Sequence, residues 1–152
     1  MRRRPQSTPW FTMAQPTAAS ERLVERYVAA WNERDYATIQ DLVSESVVVR
    51  NPTAPGGVVR GRDELESFMR GVVAGFPDFH VSVLETLADG DRVMYEAELS
   101  MTHEGEFEGI PPTGREVELR EMATYRVAEG EIQEYRVYFD RQEVFERLGL
   151  TE

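Results

Sequence analysis

Between residues 20 and 32 apolar side chains return at every third or fourth position: Leu23, Val24, Tyr27, Val28 and Trp31. That spacing lays one stripe along a helix. The helix is predicted from about Ser20, a suitable N-cap, to Asn32. A turn over 33–35 leads to a second short helix with Ile39, Leu42 and Val43. SVVVRNP (46–52) then reads as a strand that Pro52 must end, and TAPGG (53–57) as a loop. A third helix is predicted to open at Asp63, with Glu66 at capping-box spacing. It carries Leu65, Phe68, Met69, Val72 and Val73 until FPDF (76–79) breaks it. From Phe79 onward alternation takes over, with strands over about 79–87, 92–104, 115–127 and 131–140. Turns fall at ADGD (88–91), GIPPTG (109–114) and AEG (128–130). A last short helix, 141–148, stops at Gly149.

Helices first and a run of antiparallel strands later predict an α+β domain, with a curved, mostly antiparallel sheet wrapped around the N-terminal helices. One domain is expected over 20–152. Residues 1–19 carry three Arg and three Pro with no helical or strand period, and are expected to form a disordered tail. No apolar stretch follows the arginines as in a secretory signal, and Met13 is a possible alternative start.

Strand alternation sorts the candidate chemistry. In 92–104 the inward set is Val93, Tyr95, Ala97, Leu99, Met101 and His103. In 115–127 it is Val117, Leu119, Glu121, Ala123, Tyr125 and Val127, and in EYRVYFD (134–140) Tyr135, Val137 and Phe139. Three polar groups interrupt apolar faces: Asn51, His103 and Glu121. Tyr27 adds a hydroxyl to the first helix. A buried carboxylate without a partner acquires a raised pKa, which makes Glu121 a candidate general acid or base. His103 is a candidate proton carrier. Ordinary roles stand beside these: His103 half exposed at a strand end, Glu121 paired with a buried Arg, Asn51 capping the turn before Pro52, and Trp31 a plain core aromatic. If AEG closes a three-residue loop, Glu121 falls opposite Val137; a register shifted by two puts Ala123 there instead.

Composition narrows the function. A net charge of −11 argues against nucleic acid as a partner. All 17 basic residues are Arg. Cysteine is absent, so disulfides, thiolate metal sites and cysteine nucleophiles are excluded, and nothing calls for an oxidising compartment. No apolar run is long enough to span a bilayer, so no membrane partner is expected and the cytoplasm is the expected location. With no glycine-rich phosphate loop and no ligand cluster at metal spacing, neither a cofactor nor a metal is expected.

Four stretches carry a resemblance: ERYVAAWNERDYATIQDLVSESVVVRNP (25–52), AGFPDFHVSVLETLADGDRV (74–93), THEGEFEGIPPTGREV (102–117) and YRVAEGEIQEYRVYFD (125–140). Together they resemble the SnoaL-like polyketide (ester) cyclases, of the nuclear transport factor 2-like superfamily. The resemblance implies a cone-shaped α+β barrel with an apolar pocket under the sheet. Tyr27, Trp31, Asn51, Tyr95, Met101, His103, Glu121, Ala123, Tyr125, Tyr135, Val137 and Phe139 are the site residues expected around it. Aligned on Gly130, the cyclases' catalytic Asp and its assisting His fall at Val137 and Ala123. The related limonene epoxide hydrolases also place an Asp at Val137. Ketosteroid isomerases resemble the first helix and strand; their oxyanion Tyr falls at Tyr27, their base Asp at Asn51 and their second acid at Ala123. Only the Tyr is kept. The expected ligand is a small cyclic or polyketide-like carbonyl compound. Three outcomes stay open: a cyclase, isomerase or hydrolase using Glu121, His103 and Tyr27; a non-catalytic binding protein; and a dimer whose pocket is vestigial. Relatives commonly pair through the outer sheet face, where Met94, Met122 and Tyr138 stand here, so a homodimer is expected.

Overall fold

The computed structural model describes residues 16–150. Helix α1 (Thr17–Glu33) carries the apolar stripe, with Leu23, Val24, Tyr27, Val28 and Ala30 buried. It begins ahead of the expected start. Thr17 Oγ1 accepts the Gly90 N–H at 2.8 Å and anchors the first turn on a distant hairpin. Ser20 is therefore not the cap but a buried first-turn residue, its N–H given to the Pro16 carbonyl. Of the expected tail, 17–19 are helical and 1–15 lie outside the described residues. At its other end α1 is fastened by Asn32, whose amide brackets Val81 with two 2.9 Å hydrogen bonds.

Helix α2 (Tyr36–Leu42) is capped by Asp35, which accepts the Thr38 N–H. Val43 is the first residue of strand β1 (Val43–Arg50) rather than the last of the helix. The loop that follows holds a short strand absent from the sequence pattern, β2 (Val58–Arg60), antiparallel to β1. Helix α3 (Arg62–Gly75) opens on Gly61 (φ 86°), not on a capping box at Asp63. Gly61 is held by its N–H on the Val47 carbonyl, which brings the helix forward. Glu66 turns outward to Gln40 and Arg70.

Strands β3 (His80–Asp89), β4 (Arg92–Thr102), β5 (Glu116–Ala128) and β6 (Glu131–Tyr138) form an antiparallel run, followed by helix α4 (Arg141–Arg147). The sheet order is β2-β1-β6-β5-β4-β3, with β1 parallel to β6 and every other pair antiparallel. The sheet is open rather than a closed barrel, with β2 and β3 as edges, and α1 crosses its inner face.

The β5–β6 register decides what meets across the inner wall. Ala128 faces Glu131, so the turn has two residues, Glu129 and Gly130, both at positive φ. Type I′ hairpin turns require that backbone. A register shift between Arg126 and Val127 adds a further step. Together they set Ala123, not Glu121, opposite Val137.

The segment after β4 folds back on α3. The N–H groups of Glu104 and Gly105 both reach the Gly75 carbonyl, at 3.0 and 3.1 Å. A Cβ on Gly105 would stand 2.0 Å from the Ala74 carbonyl oxygen, so only glycine fits. That docking brings Phe107 against Phe76, with ring centroids 5.0 Å apart.

Candidate functional site

A cavity lies between α1, α3, α4 and the inner face of the sheet. Tyr27 and Trp31 enter it from α1, Phe68, Met69 and Val72 from α3, and Val144 from α4. The strands contribute Tyr95, Met101, Glu121, Tyr125, Tyr135 and Val137; Asn51, Thr53 and Phe139 come from segments just beyond strand ends. The cavity's volume is about 80 Å³. By that measure about 10–15 Å³ holds one water. The space suits a few waters or a narrow fragment; a polycyclic guest needs side chains to move.

Ten of the twelve expected residues line this cavity. Ala123 and His103 do not. Ala123 is wholly buried, facing Tyr95 on one side and Val137 on the other. His103 is fully buried rather than half exposed, and its ring lies 5.2 Å from that of Phe76, a cavity-lining residue. Its Nδ1 accepts the Thr113 N–H at 3.2 Å, which leaves the proton of a neutral ring on Nε2. Nε2 has no partner. The histidine ties the 105–114 segment to the sheet. The wall from α3 was missed because Leu65, Phe68, Met69 and Val72 read as an ordinary core stripe. Phe107 belongs to an irregular segment with no period to interpret.

Glu121 is 6% exposed and has no cation beside it among the described residues; its partner is the Tyr95 hydroxyl, at 3.2 Å. Burial raises its pKa from 4.5 to about 7, partly offset by that hydrogen bond. An ionised carboxylate only accepts, so Tyr95 donates to it and in turn accepts from Tyr125, 3.1 Å away. Tyr27 and Tyr135 share a second hydroxyl–hydroxyl hydrogen bond. The Tyr125 and Tyr135 rings stack at 4.6 Å and join the two pairs into one cluster. Burial holds the pKa of all four phenols above the usual value, so they are donors at neutral pH. The Tyr27–Tyr135 contact uses one hydroxyl proton and leaves the other for a guest.

Asn51 is fixed by chemistry rather than by choice of orientation. The Thr53 N–H and hydroxyl both point at one side-chain atom, each at 2.9 Å. A backbone N–H can only donate, so that atom is the oxygen, and the free NH₂ is a donor. Among the described residues no three His, Asp or Glu side chains are grouped to hold a metal ion.

The profile of the SnoaL-like polyketide cyclases matches residues 21–148. The chain belongs to that family. Among solved structures this SnoaL-like chain is similar to AclR, a proposed hydroxylase from Streptomyces galilaeus: 28% identity, TM-score 0.76, 90% of this chain and 100% of that one. It is equally similar to IdmH, a proposed polyketide cyclase from Streptomyces antibioticus: 28% identity, TM-score 0.75, 86% of this chain and 98% of that one. An LEH-like epoxide hydrolase of M. tuberculosis shares the fold at 22% identity and TM-score 0.70, over 88% of this chain and 87% of that one. Among curated protein sequences none matches the chain significantly. The cone-like α+β architecture expected from the resemblance is thus the architecture of the family. No helix among the described residues is long and apolar enough to cross a membrane.

Proposed function

We propose that this SnoaL-like protein transfers a proton on a small cyclic or polyketide-like carbonyl compound held in the apolar cavity, with Glu121 as acid and base. The observation that carries the reading is a buried carboxyl on an otherwise apolar cavity wall, bonded to the Tyr95 hydroxyl with no cation beside it among the described residues; burial lifts its pKa to about 7. Near-neutral pKa values suit a group that must both take and return a proton. Ionised Glu121 removes a proton from the carbon beside the carbonyl; the electron pair moves onto the oxygen. The spare hydroxyl of the Tyr27–Tyr135 pair and the Asn51 NH₂ are donors for that developing charge. Protonated Glu121 then returns the proton to the same or a neighbouring carbon. The reading needs no cofactor. We further propose that the protein is a cytoplasmic homodimer, joined through an outer sheet face where Met94, Met122 and Tyr138 are 40–51% exposed.

A second reading is a non-catalytic carrier of an apolar ligand. Its support is specific: Val137 lines the cavity where the resemblance puts a catalytic Asp, and Asn51 stands where another relative has its base. Deuterium exchange separates the two. Cyclic ketones incubated with the protein in heavy water should lose α-hydrogen signal in NMR spectra, and Glu121→Gln should abolish the loss. Binding without exchange, in both proteins, would establish the carrier.

A further inference from the structure

Six of the fourteen arginines among the described residues form ion pairs. Arg62, Arg70, Arg120, Arg126, Arg141 and Arg147 each hold a carboxylate at 2.7–3.3 Å. Arg50 and Arg136 are among the eight that make no ion pair, although Arg50 lies near enough to Glu134 to help hold its carboxyl below the usual range. The two arginines are register partners at the end of the parallel β1–β6 pair, so two like charges stand directly opposed. Such a pair destabilises a sheet unless something neutralises it. Carboxylates are not scarce in a chain with 28 acidic and 17 basic residues. Those nearby are engaged: Glu134 is bound to Arg126 at 3.0 Å, and Asp140 caps α4, accepting the Gln142 N–H at 2.9 Å.

Both arginines line an open cleft where β1 and β6 part. Asn51, Val137 and Phe139 line this cleft and the apolar cavity alike, so the two spaces share a wall. The cleft's polar donors are the two guanidiniums and the Asn51 NH₂; Arg136 also lies over the Tyr138 ring, 5.8 Å from its centroid, and the Asp140 carboxylate lines the same cleft. Guanidinium and amide NH₂ groups only donate. A positively charged set of donors fits an anionic oxygen group.

We propose that this cleft is an anion subsite, and that the ligand of the adjoining cavity is an apolar body bearing a carboxylate, sulfonate or phosphate. The proposal rests on the reading of the cavity as a ligand site. Polarity within the site agrees with it. Ionised Glu121 repels a second negative charge inside the cavity. The charged end therefore belongs at the arginines and the apolar end within.

A matched pair of probes tests this: 3-phenylpropionate and its neutral, similarly shaped amide, titrated by NMR into the full chain and into Arg50→Gln, Arg136→Gln and the double variant. The acid should bind about tenfold or more tightly than the amide at low ionic strength. That advantage should shrink with added salt and vanish in the double variant. Equal binding of acid and amide overturns the subsite. So does an advantage that survives the substitutions, or arginine variants that change the oligomeric state and leave the advantage intact. If neither probe binds, the cavity fails as a ligand site and the subsite falls with it. Should the variants not fold, the unmodified protein decides: an acid advantage indifferent to salt refutes the proposal.

Discussion

Glu121→Gln makes a sharp test of the site because its effect on stability has a sign and a pH window. The folded carboxyl keeps its proton up to about pH 7, whereas an unfolded one loses it near 4.5. Between those values the folded state binds more protons, so stability falls as the pH rises through the window. Below it both states are protonated and no penalty exists. Above it both are ionised and the whole penalty stands. One pKa unit corresponds to about 1.36 kcal/mol, so the buried charge costs roughly 3 kcal/mol at pH 8. Little of this is lost to screening at a side chain 6% exposed.

Glutamine has the shape of the protonated acid and can still accept from Tyr95. The variant should match the natural protein at about pH 4 and exceed it by roughly 3 kcal/mol at about pH 8. For a domain of this size that is a melting point about 6–12 °C higher. Urea unfolding of both proteins across the range measures it, and subtraction removes every titrating group they share. A difference independent of pH, or a variant less stable at high pH, would show that the carboxylate is solvated or paired. The proton-transfer role would then lose its foundation. Gain of stability with loss of exchange activity is the signature of a buried charge kept for function.

Two further substitutions probe the surroundings. Tyr27→Phe strips one hydroxyl from the Tyr27–Tyr135 pair and leaves its partner buried without a bond. It should cost about 1–3 kcal/mol in urea unfolding and slow any ketone exchange. Gly105→Ala forces a Cβ to 2.0 Å from the Ala74 carbonyl oxygen, against backbone that cannot swing aside. A loss of about 1–3 kcal/mol or more is expected, with faster amide exchange across 103–115; an unchanged melting point would show that this segment does not dock on α3.

The helices and the long strands were legible because each buries one face, and period alone reports that. Alternation alone placed Glu121 on the inner face, beside Leu119 and Ala123. Three features escaped for local reasons. Strand β2 is three residues long, too short to show a period, and exists only because β1 offers it a free edge. The β5–β6 register depends on a two-residue turn and a shift that leave no hydrophobic mark. His103 lies at a strand end, where sequence favours exposure, yet the GIPPTG segment folds over it and the Thr113 amide claims its ring. Long-range closure of that kind is invisible to neighbouring residues.

The observed register changes how the family chemistry transfers. Val137 and Ala123, the positions that the resemblance gives to a catalytic pair, do face each other across β5 and β6. Both are apolar here, so that pair cannot move a proton. The carboxyl that remains is two residues along β5 from Ala123, on the same face. At a rise of about 3.4 Å per residue this displaces it by roughly 7 Å. Proton transfer falls off far more steeply than that, since a base must lie within hydrogen-bond reach of its proton. A ligand seated as in the relatives would therefore present a different carbon to Glu121, or would have to shift along the strand to present the same one. If Glu121 transfers the proton as proposed, the position of reaction on the ligand, rather than the kind of reaction, is what the exchange of carboxylate for valine alters.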